Sequence, residues 1–184
     1  MSIWDRYANF VYRVATGSKN LRMIITLPVA ILFLGLVVLF VFTSIWVDEL
    51  YVFFHFDPSG WMIVLSIILL CLGWFICGWT AIAFIQTKGT PVPFNPPPKL
   101  ISTGLYARVR NPMLLGLFIF LLGLGILFGS LSLIFVFTPL FILTNVLYLK
   151  AVEEKEMEKK FGSEYLEYKM KVPMFIPKLK RYFH

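Results

Sequence analysis

The amino-acid sequence predicts an all-α integral membrane protein with four transmembrane helices. Hydrophobic residues make up 59% of the 184 residues and charged residues only 15%, whereas soluble domains are roughly half apolar and a quarter charged. Several stretches of about twenty residues carry no charge, and this length crosses the core of a bilayer. No polar stretch is long enough to form a separate soluble domain, so residues 1–184 are expected to form a single membrane domain.

The formal net charge of the chain is +7. In a membrane protein such a charge acts first on topology and on anionic lipid headgroups, so no nucleic-acid partner is expected. Cys71 and Cys77 lie in one apolar stretch and face different sides of a helix, so they cannot pair with each other. His55 and His184 are isolated, so no metal is expected. The sequence leaves the oligomeric state open.

The first half of the chain is predicted to contain a surface helix and two membrane spans. Residues 1–22 carry apolar side chains at helical spacing together with several arginines and lysines, as is typical of an interfacial helix. The two spans are predicted at about 23–47 and 60–85, and the loop between them, residues 48–59, is acidic. Residues 86–99 contain five prolines, which exclude a helix and favour an extended segment. That segment is either a simple spacer or a wall of a cofactor pocket.

The third and fourth membrane spans are predicted at about 113–128 and 131–149. Only Gly129 and Ser130 separate them, so the two helices should form a tight hairpin. Gly123, Gly125 and Gly129 do not indicate a nucleotide-binding loop, because no strand precedes them, and they favour close helix packing instead.

The chain becomes strongly charged after the fourth span. Most of the charges from Glu153 to Lys160 are predicted to be solvated, but Glu154 shares a helix face with Met157 and Phe161. Gly162 is predicted to end this helix, and Ser163 to cap a second short helix that returns to the membrane surface.

The distribution of basic residues predicts the topology. Lysines and arginines are concentrated in residues 1–22, in the loop before the third span and in the C-terminal tail. Both chain ends and that loop should therefore lie on the cytoplasmic side of the membrane. The expected location is a prokaryotic inner membrane. This arrangement places Arg110 on the same side of the membrane as Glu153 and Glu154.

The most informative segment runs from Leu100 to Gly116 and reads LISTGLYARVRNPMLLG. Arg108 and Arg110 are two residues apart and must point in different directions, and Pro112 suits the first turn of a helix. Free N–H groups at that helix start, together with Arg110, favour an anionic ligand. With Glu154 opposite, the pair would suit an amino-acid moiety, which carries both an ammonium and a carboxylate. The simpler interpretation is a positively charged flank that sets topology.

These motifs carry a resemblance to a known family. STGLYARVRNPMLLG at 102–116, EE at 153–154 and FGSEYLEYKMKVPMFIP at 161–177 resemble the isoprenylcysteine carboxyl methyltransferases and the wider group that includes phospholipid N-methyltransferases. The resemblance covers residues 86–177, here called the methyltransferase-like region. It implies an S-adenosylmethionine-dependent membrane methyltransferase with a cytosolic cofactor pocket and a lipid-like or prenyl-thioether acceptor that enters from the bilayer.

The resemblance also implies roles for particular residues. Arg110 would hold the cofactor carboxylate, and Glu154, with or without Glu153, would bind its ammonium or place the acceptor. The full cofactor-binding set is Lys99, Leu100, Ile101, Tyr106, Arg110, Pro112, Gly116, Glu154, Tyr165 and Tyr168. The catalytic set is Arg110, Asn111, Glu153 and Glu154.

Two residues depart from the family pattern. Asn111 stands where the family commonly has histidine, and Leu114 where it often has tyrosine. Asparagine takes no proton near neutral pH, which favours an acceptor that is already a carboxylate or thiolate. An amine acceptor would need Glu153 or Glu154 as base. The alternatives are an NADPH-dependent membrane sterol or enone reductase, for which a larger body is expected, and a non-catalytic membrane scaffold, for which the two departures would be evidence.

Overall fold

The computed structural model describes residues 3–51, 55–91 and 94–177. The predictions that concern residues 52–54, Pro93 and His184 lie outside this part of the chain. The helices found within it are α1 (Ile3–Ala15), α2 (Lys19–Leu50), α3 (Gly60–Gln86), α4 (Pro112–Leu127), α5 (Leu133–Phe161) and α6 (Ser163–Lys171). The predicted all-α class is confirmed.

Three of these helices are long and apolar enough to cross a membrane: α2 from Asn20, α3 and α5. α4 has 16 residues and is about 24 Å long at 1.5 Å per residue, somewhat less than the roughly 30 Å of a hydrocarbon core. The membrane class therefore stands, and the count of four spans stays a prediction. α2 also extends beyond its predicted end, so Asp48 lies in its last turn and is only 3% exposed, not in an acidic loop.

α3 and α4 pack closely through glycines. A Cβ atom on Gly73 would lie 2.6 Å from the carbonyl oxygen of Gly116, and one on Gly116 would lie 2.9 Å from Sγ of Cys77. The Cys77 thiol donates to the carbonyl oxygen of Met113 at 3.4 Å. The backbone of α4 therefore lies directly against α3, and this contact fixes where the residues before α4 emerge from the helices.

The turn between α4 and α5 has the tight form that the sequence predicts. Gly129 adopts a φ of 63°, which favours glycine, and its carbonyl oxygen accepts a hydrogen bond from the N–H of Phe56 at 2.9 Å. Ser132 donates to the carbonyl oxygen of Ser44, and its N–H donates to Asp48. Gly125 packs against Ile134, as the glycine pattern predicts. Hydrogen bonds between segments distant in the chain thus hold this end of the molecule together.

α1 covers the opposite end of the hairpin. Val11 and Val14 of α1 form a buried cluster with Phe94 and with Val152 of α5. The Lys159 ammonium also donates to Oδ1 of Asn9, which joins the two helices again. The N-terminal helix and the charged part of α5 therefore lie on one side of the molecule, whereas their placement in the cytoplasm stays a prediction.

The described residues of the proline-rich segment, 86–91 and 94–99, do not form an extended strap, so that prediction was wrong. The N–H of Thr90 donates to the carbonyl oxygen of Asn95 at 2.8 Å, which closes a loop, and Gly89 packs against the ring of Pro97. Proline prevents a helix here, as predicted. A turn, however, gives the backbone N–H and C=O groups hydrogen-bond partners within the protein, which an extended segment lacks. The prediction that Ser163 caps the second short helix was also wrong. Its side chain forms no capping hydrogen bond, and Gly162, with a φ of 57°, occupies the N-cap position of α6.

Candidate active site

An ion pair joins the start of α4 to the charged part of α5. Nη1 of Arg110 lies 2.6 Å from Oε1 of Glu154, and both side chains are 11% exposed. Nζ of Lys169, on α6, lies 2.7 Å from the other oxygen, Oε2. The structure thus brings together the two residues that the topology places on one side, and it adds a cation that sequence reasoning missed.

The backbone around Arg110 is held by the C-terminal tail. The N–H of Arg110 donates to the carbonyl oxygen of Pro173 at 2.8 Å, and the N–H of Asn111 donates to that of Met174 at 3.2 Å. These two N–H groups next to the start of α4 are therefore bonded to the C-terminal tail. This clamp orients the segment so that Arg108 is exposed while Arg110 points inward.

α5 presents its carboxylates through a π-helical turn. This turn spans Leu149–Glu153 and comes directly before Glu154. A π turn inserts extra backbone into a helix and is often found at functional sites. Here it lies where the apolar part of α5 ends, and Glu153, Glu154 and Glu156 all line one cavity.

The cavity has a volume of about 90 Å³ and lies between the proline-rich loop, the 3₁₀ turn Gly104–Ala107, α5 and α6. Its walls combine aromatic and proline rings with the charged groups described above. The lining residues are Phe84, Thr90, Pro91, Pro96, Pro97, Leu100, Ile101, Tyr106, Arg110, Asn111, Leu149, Glu153, Glu154, Glu156, Met157, Tyr165 and Tyr168.

Two tyrosines of α6 close one side of the cavity. Nη1 of Arg110 donates to the hydroxyl of Tyr165 at 3.3 Å, and the hydroxyl of Tyr168 donates to the carbonyl oxygen of Tyr106 at 2.7 Å. Burial, and secondarily the charge of Glu154, raises the pKa of Tyr165 to about 12. Hydrogen bonds to Glu154 and Glu158 raise the pKa of Lys169. Near neutral pH the hydroxyl therefore stays protonated and the ammonium stays charged.

Most of the predicted site residues line this cavity, but three do not. Lys99 is exposed, because the loop turns its side chain away. Pro112 is buried at the start of α4, and Gly116 contacts α3, where its missing side chain serves helix packing. Leu114 packs in the apolar cluster around Phe118, so this departure from the family pattern lies away from the cavity.

Sequence reasoning missed Glu156. It was counted among the solvated charges, and that interpretation was wrong, since its side chain is 1% exposed and lines the cavity. Oε1 of Glu156 has no hydrogen-bond partner among the described residues. The available signal was its spacing, because Glu156 lies one helical turn after the apolar Val152 and so shares a face that could have been recognised as buried.

The fold and the cavity define an integral membrane protein with a charged, tyrosine-walled cavity at one end of its helices. Residues 61–164, more than half of the chain, match the family model for phospholipid methyltransferases. The chain therefore belongs to the phospholipid methyltransferase family, and the resemblance carried by its motifs is confirmed.

The chain is also similar to a protein whose name states an activity. Over 81 residues the chain is 38% identical to the Protein-S-isoprenylcysteine O-methyltransferase of Schizosaccharomyces pombe. This alignment covers 42% of the present chain and 33% of the relative. The chain therefore matches about a third of the length of that protein.

Proposed function

We propose that this protein is an S-adenosylmethionine-dependent methyltransferase that methylates a lipid-like acceptor at the membrane surface. The observation that supports this most directly is Arg110, a nearly buried guanidinium in a small cavity. Its Nε–H is buried and has no partner among the described residues. The family membership supports methyl transfer, and the name of the fungal relative supports a prenylcysteine carboxylate or a similar acceptor.

The residues of the cavity fit the amino-acid end of the cofactor. A ligand carboxylate would take the free Nε–H of Arg110, since charge-assisted hydrogen bonds to arginine are strong and directional. Both oxygens of Glu154 already contact cations, so Glu154 holds Arg110 in place. Glu153, which lines the cavity and forms no ion pair with a described residue, is the better partner for the ligand ammonium.

The cavity must widen to hold the whole cofactor. Its 90 Å³ is well below the roughly 300 Å³ or more of pockets for organic ligands of this size. The proline-rich loop lines the cavity with Pro91, Pro96 and Pro97 and belongs to no helix, so its displacement would admit a nucleoside. Tyr106, Tyr165 and Tyr168 then offer flat, neutral surfaces for it.

The acceptor is an anion in this proposal. When bound, the cofactor supplies an electrophilic methyl group, which bonds to the acceptor oxygen or sulfur while the electron pair of the broken carbon–sulfur bond stays on the cofactor. Asn111 lines the cavity where the family commonly has histidine, and it cannot accept a proton from an acceptor near neutral pH. A carboxylate or thiolate needs no such base. The protein then acts by orienting the reactants and excluding water.

The remaining expectations concern the membrane. The cofactor would enter from the cytoplasm, where both chain ends are proposed to lie, and the lipophilic acceptor would enter from the bilayer. The basic N-terminal and C-terminal segments support this orientation by the positive-inside rule.

The test uses the full chain purified in detergent. S-adenosylmethionine binding is measured by titration for the wild type, for Arg110→Ala and for the control Arg108→Ala, which removes an exposed arginine two residues away. We expect Arg110→Ala to weaken binding at least about 100-fold, since it removes a partly buried charge partner, and Arg108→Ala to change it less than about threefold.

Transfer of a labelled methyl group to membrane lipid extracts and to small prenylated thiols, followed by mass analysis of the product, identifies the acceptor. Saturable binding of NADPH in place of S-adenosylmethionine would instead support a reductase. Binding of neither would support a scaffold without catalysis. Equal S-adenosylmethionine affinity in both arginine variants would overturn the assignment of Arg110.

A further inference from the structure

The cavity is lined by more acidic residues than basic ones. Within the described part of the chain they are one cation, Arg110, and three carboxylates, Glu153, Glu154 and Glu156. Glu154 is neutralised by Arg110 at 2.6 Å and by Lys169 at 2.7 Å. Glu153 and Glu156 form no ion pair with a described residue, so two acidic side chains in the walls lack a cationic partner.

Glu156 is the more enclosed of these two carboxylates. Its side chain is 1% exposed, and its Oε1 accepts no hydrogen bond from a described residue. Lys160, one turn further along α5, donates its ammonium to the carbonyl oxygen of Pro97 at 2.9 Å and forms no ion pair with Glu156. A buried carboxylate that lacks a partner is costly when ionised, and a cationic ligand in the cavity would relieve that cost.

The two forms of the proposed cofactor differ by one positive charge. Both carry the same ammonium and carboxylate, but the sulfur is a sulfonium cation before methyl transfer and a neutral thioether afterwards. A carboxylate in a poorly solvated cavity interacts strongly with such a charge, because little water screens it. Glu153 can serve the ammonium that both forms share, which leaves Glu156 to sense the charge that only one form has.

We propose that Glu156 senses the sulfonium charge and makes the cavity prefer S-adenosylmethionine to its product, S-adenosylhomocysteine. This inference rests on the proposed function and adds a specificity-determining residue to it. Loss of the sulfonium charge leaves Glu156 again without a cationic partner, so methyl transfer itself weakens the hold on the product and favours its release.

The experiment compares two affinities in one protein. The dissociation constants of S-adenosylmethionine and S-adenosylhomocysteine are measured by titration for the wild type, Glu156→Gln, Glu153→Gln and the control Glu167→Gln. Glu167 carries the same charge on the outer face of α6, where its side chain is 65% exposed. The wild type should bind S-adenosylmethionine about tenfold more tightly than the product.

Each variant has its own expected result. Glu156→Gln should weaken S-adenosylmethionine about tenfold and the product less than about twofold, so the preference disappears. Glu153→Gln should weaken both ligands by similar factors, and Glu167→Gln should leave both unchanged. Glu156→Asp, which retains the charge, should restore most of the preference, whereas a purely structural role of Glu156 would lower both affinities together.

The contrary outcomes are distinct from a failure of the proposed function. If the wild type binds neither ligand, the cofactor assignment itself fails. If it binds both ligands equally, or if Glu156→Gln lowers both affinities by one factor, the cofactor assignment stands and the role of Glu156 in discrimination is overturned.

Discussion

The contact between α3 and α4 is built from small, uncharged residues, whereas the cavity beside it is built from charged side chains. The contact is made by Gly73, Gly116 and the thiol of Cys77, with backbone lying directly against backbone. The cavity, one or two turns away, is made by Arg110 and the carboxylates of α5. Close packing of uncharged residues positions the helices, and the charged groups lie near the helix ends. Stability and ligand binding should therefore respond to different substitutions.

The largest effect is expected at the helix contact. A side chain at Gly73 meets the backbone of Gly116 and Phe120 within 3 Å, and helices cannot yield there without separating. Gly73→Leu should lower the free energy of unfolding by about 3 kcal/mol or more, measured by thermal unfolding in detergent. Gly78, on the same helix, has open space where a Cβ atom would lie, with no neighbouring atom within 4 Å, so Gly78→Leu is the matched control. Equal melting temperatures for the two variants would show that α3 and α4 are not held by this contact.

A smaller effect on stability, but a large one on function, is expected at Glu154. Glu154→Gln removes the charge that holds Arg110 and Lys169 together, so the guanidinium loses its fixed position. The rate of methyl transfer should fall about 100-fold. The variant should stay folded, with a melting temperature well above that of the Gly73→Leu variant. The assay is transfer of a labelled methyl group to membrane lipid extracts, with circular dichroism as the measure of folding.

Glu158→Gln provides the control for this substitution. Glu158 also pairs with Lys169, at 2.8 Å, but its side chain is 36% exposed and it does not line the cavity. Its substitution should change activity less than about threefold. If both variants keep full activity, the ion pair at Glu154 has a structural role only. Stability and activity would then not depend on different sets of residues in this molecule.

The sequence predicts the neutral part of this molecule better than the charged part. Long apolar stretches reveal membrane helices, Gly129 and Ser130 reveal the hairpin, and Gly123 and Gly125 reveal close packing, because each is a local pattern. The meeting of Arg110 with Glu154 also follows from the sequence, since the positive-inside rule relates distant segments to one side of a membrane.

The residues that the sequence mislocates depend on tertiary contacts. Gly116 belongs to a motif that resembles a cofactor site, but its neighbour is Gly73, 43 positions earlier in the chain. Glu156 lies in a run of charged residues, yet it lines the cavity beside residues of the proline-rich loop. Lys99 lies next to lining residues, yet the loop turns it outward. For Gly116 a distant segment decides the contact and no local pattern records it, whereas the spacing of Glu156 from Val152 was a weak local signal.

The smallest effect is expected from the third member of the ion-pair network, Lys169, and it depends on pH. Hydrogen bonds to Glu154 and Glu158 raise the pKa of Lys169 above its ordinary value of 10.5. A cation whose pKa is raised in the folded state contributes its full stability below the unfolded value and loses it as pH rises through the folded value. The side chain is 33% exposed, so water screens it and the contribution should be at most about 1 kcal/mol.

Lys169→Met should therefore lower the melting temperature by about 2–4 °C at pH 8 and pH 9 alike, and the difference from wild type should shrink only above pH 10.5. Lys171→Met is the control, because Lys171 pairs with Glu167 at 3.5 Å on the exposed face of α6 and should change the melting temperature by less than about 1 °C. A difference that disappears between pH 8 and pH 9 would mean that the ammonium of Lys169 is not held by the carboxylates. Lys169 would then not help to fix the carboxylate of Glu154, and Arg110 alone would position that carboxylate.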